Sequence, residues 1–157
     1  MPDFGGTKTL TVTSTAFQHG QPIPEKHTCE GQDVSPALEI GNIPPNAKSL
    51  VLICDDPDAP RGTWLHWTVW NMPPTMTAIR EGAQNNEDGY REGMTDNKSV
   101  GYGGPCPPPG KPHRYFFKIY ALSAMLGLPN GSNLKQLEGA MNGKVLAWGE
   151  LMGTFKR

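Results

Sequence analysis

Charge of either sign is scarce in this chain, and nearly balanced. Fourteen Lys and Arg stand against 15 Asp and Glu, for a net charge of −1. The basic residues form no stripe, which argues against nucleic acid and anionic membrane surfaces as partners. No window approaches the length of an apolar membrane span, and the opening MPDFGGTKTLTV holds no apolar signal core. Cysteine is scarce too. Cys29, Cys54 and Cys106 are odd in number and widely spaced, suiting neither a disulfide framework nor a CxxC metal knuckle. A cytoplasmic protein is the expectation, and cysteine usage agrees with it. Cys106 is read first as a small packing residue, with a reactive thiol as the alternative. The chain also lacks GxSxG, HExxH and a Walker loop, so the usual signatures of hydrolases, zinc proteases and nucleotide enzymes are missing. No cofactor and no metal are called for, and an enzyme is not expected.

Glycine and proline, by contrast, are abundant: 19 Gly and 16 Pro, spread along all 157 residues. With 36% hydrophobic residues, this composition favours many short elements joined by tight turns in one domain spanning 1–157. The expected fold is mostly β, with one or two short helices. SLVLICDD contains a continuous apolar run at 50–54 that reads as a buried strand. TWLHWTVWNM (63–72) and HRYFFKIYAL (113–122) are rich in aromatic and β-branched residues and read as two more strong strands. Weaker strands are expected at 10–17 and 37–40, and one or two at 144–157. Residues 73–100 read as surface loops with one weak strand. SNLKQLEGAMNG carries Leu134, Leu137 and Met141 at helical spacing, a cap at Ser132 or Asn133, and Gly143 as a stop.

The densest Gly/Pro stretch, GYGGPCPPPGKP, runs directly into His113. Glycine opens close approaches, proline fixes φ and removes a donor, so the stretch reads as a loop of fixed shape. Strand parity then sorts the polar groups. Trp64 and His66 fall on one face, Leu65 and Trp67 on the other; His113 and Tyr115 share a face, Arg114 and Phe116 the opposite one. Were the two His-bearing faces to meet, both imidazoles and two aromatics would line one hollow. DDPDAP, at the end of a buried strand, would bring Asp56 or Asp58 there. Each residue also has a plain role: a packed histidine, a turn-capping Asp56, core tryptophans. His19 and His27 lie in polar loop sequence and are assigned no function.

DPDAP at 56–60, HW at 66–67 and GP…PPPG…HRY at 104–115 resemble, in order, the signature stretches of the phosphatidylethanolamine-binding protein family, also called Raf kinase inhibitor-like proteins. PIPEKHTCEGQDVSPALEI, VGYGGPCPPPG and GKVLAWGELMGTFKR extend the likeness to its compact prokaryotic branch, over nearly the whole chain. Lys144 departs from the His that relatives often carry before VLA, and the Asn-rich 84–99 stretch has no clear counterpart. The resemblance implies a two-sheet β fold with a small anion pocket. Asp56, His66 and His113 match its central residues, and Trp64, Gly104, Pro105 and Tyr115 its wall. Asp58 matches an acid expected to brace the loop, and Pro60 a proline commonly preceded by a cis bond.

Three function classes follow. The favoured one is non-enzymatic binding of phosphorylated headgroups or similar small phosphate- or carboxylate-bearing ligands, with a regulatory role. The alternative is inhibition of a serine protease or kinase through surface loops. The third is an enzyme in which two His and one Asp act as a metal triad or an acid–base set. No counterpart of the eukaryotic members' pocket-covering C-terminal helix follows Arg157, so monomer and homodimer both stay open.

Overall fold

A computed structural model describes residues 3–83 and 89–157. Nine strands and one α-helix form two sheets. The strands are β1 (Thr7–Lys8), β2 (Thr11–Thr13), β3 (Leu38–Gly41), β4 (Ser49–Asp56), β5 (Trp64–Met72), β6 (Ala78–Ile79), β7 (Arg91–Glu92), β8 (His113–Leu122) and β9 (Val145–Phe155). The larger sheet has the order β1-β9-β8-β4-β5-β7, and the smaller one β2-β3-β6. All neighbours pair antiparallel except β1 and β9. The three strong strands expected from the sequence lie side by side as β8, β4 and β5.

Two apolar layers flank the larger sheet. Between the sheets, Val12, Leu38, Ile40 and Ile79 meet Leu50, Leu52, Phe117, Ile119 and Leu151. On the outer face, Val51, Ile53 and Tyr120 pack under Leu137 and Met141 of the helix α1 (Leu134–Met141). A strand buried on both faces needs an unbroken apolar run, which is why β4 reads continuously rather than alternating. The helix begins at Asn133, whose side chain accepts from the Gln136 N–H while Gln136 returns a bond to the Asn133 N–H. This capping box fills two otherwise orphaned donors. Lys144 Nζ donates to the Ala140 carbonyl at the far end of the helix.

Several expectations are corrected. Strand β2 occupies three residues of the run at 10–17, and β3 runs one residue later than ALEI. Residues 144–157 hold one strand, β9, within the expectation of one or two. The 73–100 region holds two short strands, β6 and β7, where one was expected; its residues 84–88 lie outside the described part.

The most consequential correction concerns β5. Cys54 pairs with Trp67 and Asp55 with Leu65, so β5 spends an additional residue, His66, against adjacent residues of β4. Such a β-bulge breaks the two-residue alternation. Trp67 therefore faces the layer between the sheets while Leu65 faces the helix layer, instead of sharing a face.

Candidate functional site

Because β4 runs antiparallel to both neighbours, its C-terminal end lies beside the starts of β5 and β8. Asp56 pairs with Trp64, and Asp55 with Phe116. Three short stretches thus meet at one end of the central strands. They line a cavity of about 240 Å³ together with the Gly/Pro loop. Asp56, Trp64, His66, His113 and Tyr115 all reach this cavity. His66 shares the cavity face with Trp64, as alternation expects, and its ring meets Tyr115 edge-on at 5.3 Å between centroids.

Both histidines have Nδ1 committed to the protein. His66 Nδ1 lies 2.6 Å from the Gly103 carbonyl, and His113 Nδ1 lies 2.7 Å from Asp56 Oδ2. A carbonyl or a carboxylate only accepts, so Nδ1 carries the proton in each ring. The available nitrogen in both is Nε2. Burial holds the His66 pKa below its usual value, opposed by its bond to Gly103 and by nearby carboxylates.

Asp56 is buried and surrounded by donors. Its Oδ1 accepts the Asp58 N–H at 2.7 Å and its Oδ2 accepts His113, with Tyr115 beside it in the cavity lining. Burial and that carboxylate push the Tyr115 pKa well above its usual value. The acid is therefore engaged by the protein's own donors while still lining the cavity. Asp58 does not line the cavity. It takes three bonds from Arg114, from the backbone N at 3.0 Å and from Nε and Nη2 at 2.9 Å each, which hold its pKa down and tie the DPDAP turn to β8.

The Gly/Pro loop is held by contacts of its own. Gly103 N–H donates to the His66 carbonyl at 3.0 Å, closing a reciprocal pair with the imidazole bond. Gly104 N–H donates to Asp33 Oδ1 at 2.8 Å, and the Tyr102 hydroxyl to the His27 carbonyl at 2.6 Å. A Cβ on Gly104 would collide with the His27 carbonyl and the Asp33 carboxylate. Glycine is required there by the chain's own close approach.

Two wall assignments need correction. Gly104 lines the cavity but Pro105 does not, because its carbonyl turns away to accept the Cys29 N–H at 3.1 Å. The bond before Pro60 is trans, the intrinsically favoured form, and the turn closes through Gly62 N–H to the Ala59 carbonyl at 3.2 Å; Pro60 still lines the cavity.

Cysteine usage is also corrected. Cys29 and Cys106 form a disulfide across a sequence separation of 77, and Cys106 lines the cavity. Cys54 is buried and free. A loop of that length is worth about 4.5 kcal/mol in the chain-entropy account. The thiols thus give no support to a reducing compartment. Widely spaced cysteines conceal such a pair, yet each sat in a stretch carrying the family likeness, KHTCEG and GPCPPPG, where a pairing could have been sought. Asn97 also lines the cavity and was not anticipated, since it lies in the stretch without a clear counterpart. His27 is buried with Nδ1 on the Val34 carbonyl at 2.8 Å, and His19 Nδ1 accepts the Met152 N–H at 3.1 Å; neither lines the cavity. Among the described residues, no cluster of three His, Cys, Asp or Glu is arranged to hold a metal ion, and no helix is long and apolar enough to cross a membrane.

A two-sheet β fold with an Asp–His pair and a second histidine at the ends of its central strands, walled by a Gly/Pro loop, defines a class of pocket-bearing β proteins. The family model for phosphatidylethanolamine-binding protein matches residues 13–156, and the chain belongs to that family. It is 45% identical to a UPF0098 protein of Aquifex aeolicus, over 97% of this chain and 91% of the relative. It is 44% identical to a UPF0098 protein of Pyrococcus horikoshii, over 98% and 80%. Among solved structures, a phosphatidylethanolamine-binding protein homologue from Chlamydia trachomatis superposes with a TM-score of 0.89 at 41% identity, covering 96% of this chain and 99% of that one. E. coli YbcL, described as a member of the mammalian family, gives 0.87 at 32% identity, over 94% and 98%.

Proposed function

We propose that the cavity binds a small phosphorylated headgroup or similar anion without chemical turnover, in a regulatory role. One observation carries this: two imidazoles whose Nδ1–H groups are spent on the protein converge on one cavity with Nε2 unspent. A neutral Nε2 is an acceptor; once protonated it becomes a charge-assisted donor to phosphate or carboxylate oxygens. Asp56 supplies the counter-charge for an imidazolium at His113. Anion binding then takes up protons, and affinity rises as pH falls. For His66 the rise begins below the ordinary histidine range, because burial lowers its pKa.

A phosphoethanolamine-type ligand would set its ammonium against Trp64, which is partly exposed at the cavity rim, by cation–π attraction. The test is calorimetry with phosphoethanolamine. Replacing His113 by Ala removes a charge-assisted bond of roughly 1.5–3 kcal/mol, so affinity should fall by at least about tenfold. His19→Ala, distant from the cavity, should bind as the unaltered protein does. Equal affinity in folded His113→Ala and the unaltered protein would overturn the proposal.

A further inference from the structure

We propose that Cys29–Cys106 is a thiol–disulfide exchange site through which a dithiol reductant opens the cavity wall. Cys106 lines the cavity, and the disulfide joins the Gly/Pro loop to the segment that follows the one-turn 3-10 helix Glu25–His27. Both cysteines are exposed, so an attacking thiolate has access. A disulfide buried for stability alone would not offer that access.

Arg157 supplies the second feature. Its Nη1 lies 3.3 Å from Cys106 Sγ and 3.6 Å from Cys29 Sγ. A guanidinium beside sulfur favours the thiolate and so improves a leaving group. The shorter distance marks Cys106 as the sulfur that leaves. In the first step, one thiolate of the dithiol attacks Cys29 Sγ, a mixed disulfide forms there, and Cys106 departs as a thiolate beside Arg157. In the second, the other thiol of the reductant, deprotonated, attacks the mixed disulfide at the reductant's own sulfur. The reductant leaves as a cyclic disulfide and Cys29 as a thiolate. Two electrons pass from the dithiol to the protein.

Opening this bond removes the covalent tie on the wall while leaving hydrogen bonds that water can replace. Those are Cys29 N–H to the Pro105 carbonyl, Tyr102 to the His27 carbonyl, and Gly104 N–H to Asp33. The same loop holds His66 through Gly103, so loosening it frees an imidazole of the site. Cys54 is buried and stays out of the reaction.

The experiment treats the folded protein with dithiothreitol and follows three readouts. Thiol labelling read by mass should find Cys29 and Cys106 modified and Cys54 untouched. Amide hydrogen exchange should quicken across residues 101–113 while β4 stays protected, which separates local opening from global unfolding. Phosphoethanolamine affinity should fall about tenfold, the cost of re-ordering the wall on binding. Arg157→Ala, which keeps the disulfide, should be reduced at least about threefold more slowly, and Arg157→Lys should recover part of that rate. Reduction that leaves 101–113 as protected as before overturns the proposal, as does reduction that occurs only together with loss of β4 protection. Only the affinity readout rests on the ligand proposal. If the oxidised protein binds no phosphoethanolamine, the ligand proposal falls and the exchange site is judged on labelling and amide exchange. If both forms bind equally, the wall-opening proposal falls alone.

Discussion

Replacing Asp56 by Asn tests the logic of the site at its centre. The carboxylate accepts from His113 Nδ1 and from the Asp58 N–H, each at 2.7 Å. An amide has one accepting oxygen and one donating NH₂, so one carboxylate position must reverse its polarity. With NH₂ at Oδ1, it confronts the Asp58 N–H, and a buried donor left without an acceptor costs about 1–3 kcal/mol. With NH₂ at Oδ2, it confronts His113 Nδ1, which can escape by shifting its proton to Nε2. The second arrangement orphans nothing and should be adopted. Stability still falls by about 1–3 kcal/mol, since charge-assisted bonds become neutral ones. The binding consequence is sharper. In the native pair Nε2 must gain a proton before it can donate to an anion; in the variant it already carries one. Proton uptake on phosphoethanolamine binding should therefore be smaller in the variant, with weaker affinity. Calorimetry in two buffers of different ionisation heat measures that uptake, and denaturant melts measure stability. Undiminished uptake in the folded variant would show that Asp56 does not set the His113 tautomer.

Two further outcomes follow from buried charge. Lys118→Met removes the partner that Asp55 holds at 2.9 Å, and burial already raises the Asp55 pKa against that lysine's opposing pull. Stability should drop by about 3–5 kcal/mol at neutral pH and partly recover on acidification, because the folded state then keeps a proton that the unfolded chain releases; a loss independent of pH would reject the account. His66 has the opposite sign. Its folded pKa lies below the unfolded value, so its share of stability is whole above about pH 6.5 and is lost as pH falls through the folded pKa. Denaturant melts of ligand-free protein between pH 7.5 and 5 should find this slope reduced in His66→Gln, and an identical slope would exclude it.

The three strong strands were legible because each is eight to ten residues long and mostly aromatic, aliphatic or β-branched. The helix was legible from both ends, with Asn133 capping and Gly143 at positive φ after it. The bulge at His66 was not. WLHWTVW alternates well enough to support an unbroken strand, and an additional residue leaves no mark in composition. Whether β5 is bulged depends on what β4 places opposite it. The disulfide was hidden for a related reason, since pairing across 77 residues is set by the folding of both segments against each other.

The same division runs through the site. Residue types named the candidates, because Asp, His, Gly and Pro in that order at strand ends are an unusual set for a plain sheet. Their chemistry, however, is decided by partners that the sequence does not name. His66 could have carried its proton on either nitrogen, and the Gly103 carbonyl assigns it to Nδ1. Asp56 could have faced a ligand ammonium, but His113 and Asp58 occupy it from the protein side. Gly104 could have served close approach to a ligand, yet its missing Cβ makes room for His27 and Asp33. Each of these contacts joins segments more than thirty residues apart, except Asp58 with Asp56. A pocket built this way takes its proton inventory from tertiary structure. Substitutions at the partners, not only at the histidines, should therefore change what the cavity accepts.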